Sequence, residues 1–226
     1  MGVIQNIIAN HKEKVNARND MCDNLIMQID AALQEITIIF SDLQSFVEPS
    51  KESEWHNRNA SLMTNIALAN IQKIKKAARY KKLLKKQAEL YRSANSLKQQ
   101  ISIHNDRVAD AKIQNAYTLI GDIEGRRLDK QQMTCIVKDV HNHLVIAGAG
   151  TGKTTTVVGK IKFLLKLGKY KPEDILVLSF TNASASEMSQ RISKETGCNI
   201  DASTFHKLGL NIITKVNGIV PKITQL

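Results

Sequence analysis

Residues 144–154 read Leu144-Val-Ile-Ala-Gly-Ala-Gly-Thr-Gly-Lys-Thr154, and this stretch decides how the C-terminal half is built. A short apolar run leads into three glycines at alternate positions, then a lysine and a threonine. Such a run ending in glycine reads as a buried strand, Leu144-Val-Ile-Ala147. The residues from Thr154 to Leu167 carry a helical pattern, and Gly168 is its stop signal. A glycine-rich loop between a strand and a helix suits a bound phosphate. Gly148, Gly150 and Gly152 let the backbone curl until its N–H groups converge on one anion. The helix N-terminus adds partial positive charge.

In a loop of this kind the lysine reaches the terminal phosphates and the hydroxyl after it ligates Mg²⁺. The expected nucleotide set is therefore Ala147, Gly148, Ala149, Gly150, Thr151, Gly152, Lys153, Thr154 and Thr155. Lys153 and Thr154 carry the chemistry, Thr154 as the metal ligand, with ATP and Mg²⁺ as cofactors. Ala147 stands where the strict pattern has glycine, a methyl that β-like backbone tolerates. Gly159 sits oddly inside the helix, where it costs about 1 kcal/mol against alanine.

Downstream, Ile175-Leu-Val-Leu-Ser-Phe180 reads as a second buried strand and Thr181–Ile192 as a second helix. Asn199-Ile-Asp-Ala-Ser203 is a short third strand, followed by a helix from about Phe205. Strand–helix alternation implies an α/β fold with a parallel sheet and helices on both faces.

Upstream the grammar changes. Cys22, Ile26, Ile29, Leu33, Ile36, Phe40, Leu43 and Val47 follow at alternating steps of four and three, a heptad seam. Pro49 interrupts it, because proline lacks a donor and disfavours helix in the residue before it. A second helical stretch runs from about Asn59 to Ala116 without proline or glycine. The simplest architecture is a long N-terminal helical hairpin, a coiled-coil extension over residues 1–125. Residues 126–226 form the second domain.

Within the second stretch lies a basic run of Lys73, Lys75, Lys76, Arg79, Lys81, Lys82, Lys85, Lys86, Arg92 and Lys98, relieved by Glu89 alone. It reads either as a nucleic-acid contact or, more commonly for such runs, as a solvated face. The whole chain of 226 residues carries 32 Lys+Arg against 21 Asp+Glu, a net charge of +11. Such an excess favours polyanionic partners. Three cysteines without paired spacing point away from a disulfide framework or a metal site. No apolar run has membrane-spanning length. The chain reads as cytoplasmic, without membrane partners.

A phosphate loop alone says only that nucleotide binds, and its flanks say more. Leu128-Asp-Lys-Gln-Gln-Met133 precedes it, Ser179-Phe-Thr-Asn-Ala-Ser-Ala-Ser-Glu-Met188 follows the second strand, and Ser203-Thr-Phe-His206 opens the last helix. In this order and spacing they resemble the superfamily 1 helicases of the UvrD/Rep type, helicase IV-like members in particular. The resemblance covers about Leu128–Leu226. It implies a partial RecA-like P-loop domain, ATP hydrolysis coupled to 3′–5′ movement, and single-stranded or partly duplex DNA as partner.

It also implies roles by position. Gln132 matches the glutamine that reads the adenine edge, which suits an amide able both to donate and to accept. Phe180, Thr181 and Asn182 match a single-stranded DNA motif, where an aromatic stacks on a base and small polar groups hold phosphate. Thr204, Phe205 and His206 match a further DNA-contact motif. Without the resemblance, Phe180 reads as core and His206 as a capping or packed residue.

Two positions depart from the pattern: Ala183 stands where members carry lysine, and Thr155 where many carry arginine. No apolar strand ending in an Asp-Glu pair occurs, and the second motor lobe would lie beyond Leu226. Phosphoryl transfer needs all these groups together. The chain alone is therefore expected to bind ATP and hydrolyse it poorly or not at all. The alternative is a non-hydrolysing coiled-coil interaction module with a nucleotide-binding lobe, self-associating through its N-terminal helices. An unrelated phosphate-loop kinase or ATPase fits the flanking motifs less well.

Overall fold

The computed structural model describes residues 2–68, 74 and 77–218. The chain divides into two compact units, Met1–Val108 and Ala109–Leu226.

The first unit is helical. Helix α1 spans Gly2–Ile39, α2 spans Ser50–Leu68, and α3 spans Tyr80–Ile120, with its residues from Ala109 belonging to the second unit. Its core gathers Cys22, Ile26, Ile29 and Ile36 of α1, Trp55, Leu62 and Ile66 of α2, and Leu83, Leu90 and Leu97 of α3. Trp55 is fully buried and its indole Nε1 donates to the Ala32 carbonyl at 3.0 Å. Indole is tolerated in a dry core when its N–H finds such a partner.

The heptad seam holds only as far as the helix. α1 ends at Ile39, and Leu43 is 76% exposed. The Asp42 Oδ1 accepts from Gln44 N at 2.9 Å, a local bond of the kind that competes with helix. Val47 is buried all the same, by a different device. Its N–H donates to Asn105 Oδ1 and its carbonyl accepts from Asn105 Nδ2, both at 2.8 Å. One side-chain amide thus satisfies both backbone groups of a buried residue.

The expected continuous helix from Asn59 to Ala116 is broken. α2 is described as far as Leu68, a turn with Tyr80 N donating to Ala77 O lies at residues 77–79, and α3 then begins. Ile74 and Ala77 are buried beside this turn. Helical propensity is a weak prior, and the break coincides with the buried Ala77. Among the described residues, the expected two-helix hairpin is thus carried by three long helical segments around one core.

Lys73, Lys75 and Lys76 lie outside the described residues. Arg79 pairs with Asp23, and Lys86 with Asp30 and Glu89. The acidic residues of α1 thus neutralise part of the basic run from another helix.

In the second unit the order is α4 (Lys130–Val137), α5 (Lys153–Lys166), a 3₁₀ turn (Pro172–Asp174), β1 (Val177–Ser179), α6 (Asn182–Thr196), β2 (Ala202–Thr204) and α7 (Phe205–Asn217). β1 and β2 pair in parallel, with Val177 opposite Ala202 and Ser179 opposite Thr204. The unit is mostly helical with a small parallel sheet, consistent with the α/β expectation. Among the described residues no helix is long and apolar enough to cross a membrane.

The sheet is smaller than expected. Leu144–Ala147 is not a strand, and Leu144 and Ile146 are 84% and 90% exposed. Apolar character makes a segment fit for a buried strand, but a strand also needs a ladder partner, and none pairs with it among the described residues. β1 keeps only the middle of Ile175–Phe180, and β2 starts at Ala202 rather than Asn199.

Gly159 finds its reason here. A Cβ at this position would stand 2.8 Å from Ile136 Cδ1 and 3.1 Å from Leu128 Cδ1. The missing side chain lets α5 lie close on α4 and on the segment before it.

Candidate nucleotide and nucleic-acid site

α4 begins with a reciprocal cap. Asp129 Oδ1 accepts from Gln132 N at 2.8 Å, and Gln132 Oε1 accepts from Asp129 N at 2.9 Å. Such a box satisfies two orphan donors at the start of a helix. The remaining arm of the amide, Gln132 Nε2, donates to the Thr151 carbonyl at 3.3 Å. Gln132 therefore touches the glycine-rich loop.

The loop itself turns at Gly150 (φ 75°) and Gly152 (φ 81°), both in the left-handed region that favours glycine. Gly148 is not left-handed. Gly152 is also the N-cap of α5, and no side chain caps that end. The orphan N–H groups of the first turn are thus left for another acceptor. Lys153 Nζ donates to Gly148 O at 2.7 Å, and Thr151 Oγ1 donates to the same oxygen at 2.9 Å. Of the neighbouring hydroxyls, Thr155 bonds Glu124 and Thr156 bonds Gly152 O. The Thr154 hydroxyl is in none of these bonds.

Beside the loop opens a cavity of about 850 Å³, lined by Gln132, Gly148, Thr151 and Lys153, and also by Cys135, His143 and Lys160. Lys160 Nζ donates to the carbonyls of Ile136 and Lys138, each at 2.7 Å. Burial holds its pKa below the ordinary lysine value, with Asp139 opposing. Burial, together with Lys138 and Lys160, likewise lowers His143. No motif marked these cavity residues, because they become neighbours only through the packing of α5 on α4.

Thr155 has two partners far away in sequence. Its Oγ1 donates to Glu124 Oε2 and accepts from Arg191 Nη2, each at 3.0 Å. Glu124 and Arg191 carry no motif signal either, being 67 residues apart.

The other motif residues gather at one end of the sheet. Phe180 follows β1 and is 94% exposed, not core. Thr181 caps α6, accepting from Ser184 N at 3.1 Å, and Asn182 is the exposed first residue of that helix. Ser179 is opposite Thr204 in the ladder, so Phe180 and Phe205 leave paired strand ends side by side. Phe205 and His206 are exposed, whereas Thr204 is buried and caps α7 by accepting from Lys207 N. The loop and both motif ends thus each leave a helix N-terminus, where backbone N–H groups face out.

Residues 128–219 match the UvrD/REP helicase N-terminal domain. The chain is 36% identical over 124 residues to DNA helicase IV of Escherichia coli (strain K12), covering 54% of this chain and 18% of that protein. It is 45% identical over 76 residues to the ATP-dependent DNA helicase Rep of Buchnera aphidicola subsp. Acyrthosiphon pisum, covering 32% of this chain and 12% of that protein. It is 34% identical over 90 residues to the ATP-dependent DNA helicase UvrD1 of Mycobacterium leprae, covering 38% and 12%. The chain thus spans less than a fifth of the length of these curated relatives. No solved structure matches it. The similarity to the UvrD/REP helicase N-terminal domain thus covers residues 128–219, less than half of the chain.

Proposed function

We propose that this chain is the ATP-binding N-terminal portion of an ATP-dependent DNA helicase. Residues 126–226 supply the first part of a RecA-like motor lobe, and residues 1–125 are a helical extension. Lys153, resting on the Gly148 carbonyl beside the uncapped start of α5, carries this reading. A cation held against its own loop, with free N–H groups around it, is arranged to exchange that carbonyl for phosphate oxygens.

Gln132 holds the loop and offers its amide to the adenine. Thr154, the hydroxyl left out of the local bonds, is fit to ligate Mg²⁺. When bound, that ion neutralises charge on the β- and γ-phosphates. Phe180, Asn182, Phe205 and His206 offer a stacking and phosphate-contact edge to single-stranded DNA, with Thr181 and Thr204 fixing the helix starts behind them. Relatives named as ATP-dependent DNA helicases support the same assignment; movement of the whole enzyme in the 3′–5′ direction is part of the proposal. Efficient hydrolysis needs groups that this stretch does not supply.

The test is fluorescent-ATP binding with Mg²⁺, comparing the unsubstituted chain with Lys153→Ala, each with and without single-stranded DNA. Binding that is lost on Lys153→Ala upholds the reading. Equal binding by both proteins removes the loop from it.

A second reading has one observation in its favour. Ile4, Ile7 and Ile8 lie at helical spacing on one face of α1, and all three are exposed. That face suits self-association, making the chain an interaction module. Sedimentation of the chain with Ile7 and Ile8 changed to Glu distinguishes this, since an ATP-independent dimer would then dissociate.

A further inference from the structure

Glu124 is the one non-glycine residue at positive φ (54°) among the described residues, and Gly125 follows it at 74°. Ile123 and Arg126 flank them and exchange two backbone hydrogen bonds, at 2.9 and 3.0 Å. Two left-handed central residues make the mirror-image tight turn, whose first position suits Asn, Asp or Gly. A glutamate there is against local preference, so its side chain is the place to look for a reason.

That side chain spans two helices. The Glu124 carboxylate takes both arms of the Arg191 guanidinium, at 2.6 and 2.7 Å, and the Thr155 hydroxyl at 3.0 Å. The Glu124 N–H donates to Glu195 Oε2 at 3.0 Å, and Glu195 Oε1 pairs with Lys162 at 2.7 Å. Arg191 and Glu195 are one turn apart on α6, while Thr155 and Lys162 are two turns apart on α5. A single turn is thus clipped to one face of each helix. The α5 contact falls at Thr155, directly after the loop residues Lys153 and Thr154. α6 is the helix whose N-terminus carries Phe180, Thr181 and Asn182.

We propose that Glu124 and Arg191 are positioning residues that couple the phosphate loop to the DNA-contact end of α6. The proposal rests on the nucleotide and DNA roles given above. A phosphate drawn onto the loop shifts the first turn of α5, and the Thr155–Glu124–Arg191 link passes that shift to α6. Linkage requires the reverse effect too, so DNA at the α6 end tightens nucleotide at the loop. A bidentate Arg–carboxylate pair suits this, because its planar geometry transmits orientation and not merely charge.

The experiment measures fluorescent-ATP affinity with and without a single-stranded oligonucleotide, in the unsubstituted chain, Glu124→Gln and Arg191→Gln. Hydrogen exchange of residues 180–186 is followed with and without nucleotide. The unsubstituted chain is expected to bind nucleotide about fivefold or more tightly when DNA is present. In both variants that ratio falls to about one, nucleotide affinity without DNA stays within about threefold, and nucleotide no longer slows exchange at 180–186.

A ratio kept in both variants overturns the proposal. So does a parallel loss of melting temperature and of affinity without DNA, which would make the clip a staple only. If the unsubstituted chain binds no nucleotide, the function proposed above fails first and the coupling with it.

Discussion

The amide of Gln132 lies so close over Gly152 that a Cβ on the glycine would stand 2.6 Å from Gln132 Nε2. Gly152 also has φ 81°, a conformation that costs a side chain about 1–2 kcal/mol. Gly152→Ala is therefore expected to weaken Mg²⁺-ATP binding about tenfold or more. Adding Gln132→Ala to it would relieve the close approach but not the φ strain, so recovery would be partial at most. Nucleotide titration of the single and double variants checks both halves.

Phe180 is almost wholly exposed, so Phe180→Ala should shift stability by no more than about 0.5 kcal/mol. Its loss should cost about 1–3 kcal/mol in single-stranded DNA affinity if a base stacks on the ring. Anisotropy of a labelled oligonucleotide, read beside a melting curve, separates the two effects. Unchanged affinity would take Phe180 out of the contact.

At Gly159 two effects oppose each other. Alanine would gain about 1 kcal/mol in helix propensity. The new methyl would press on Ile136, which is fully buried and has nowhere to move, and overpacking costs about 1–3 kcal/mol. Overpacking should win, and Gly159→Ala should lower the urea midpoint. A raised midpoint would show that α4 and α5 can part without cost.

Glu124 predicts a pH dependence. The Arg191 hydrogen bonds, and then the Thr155 bond, hold its carboxyl below the ordinary glutamate value of 4.5 against the opposing effect of burial. A lowered folded-state pKa contributes stability that is present above the unfolded value and lost as pH falls through the folded one. The stability gap between the unsubstituted chain and Glu124→Gln should be full at pH 7 and close progressively below about 4.5. Denaturant midpoints between pH 7 and pH 3 measure it, and a constant gap would count against the ion pair as its source.

What the sequence discloses depends on how local each feature is. The turn at Gly150 and Gly152 and the stop at Gly168 arise within a few residues, and glycine pattern and spacing reveal them; the Asp129–Gln132 and Thr181 caps are just as local, but the motifs drew those residues toward other roles. The Glu124–Arg191 pair and the Asn105–Val47 amide clasp join residues more than fifty apart, and no spacing rule reaches them. Leu144-Val-Ile146 misled for a different reason: side-chain preference says what a segment can bury, not whether a neighbouring strand stands beside it. Read without the resemblance, Phe180 would be placed in the core by the same reasoning, yet it is an aromatic at the end of an apolar run that the fold leaves outside.

The bare apolar stretch at Leu144, Val145 and Ile146 has a colloidal consequence. A net charge of +11 keeps copies of the chain apart when little salt is present. At physiological ionic strength the screening length falls to about 8 Å, and that protection weakens. Unpaired apolar backbone is then free to meet its like, edge to edge. Salt should therefore act on this chain in two opposite directions, loosening its hold on polyanions while making it more adhesive toward itself.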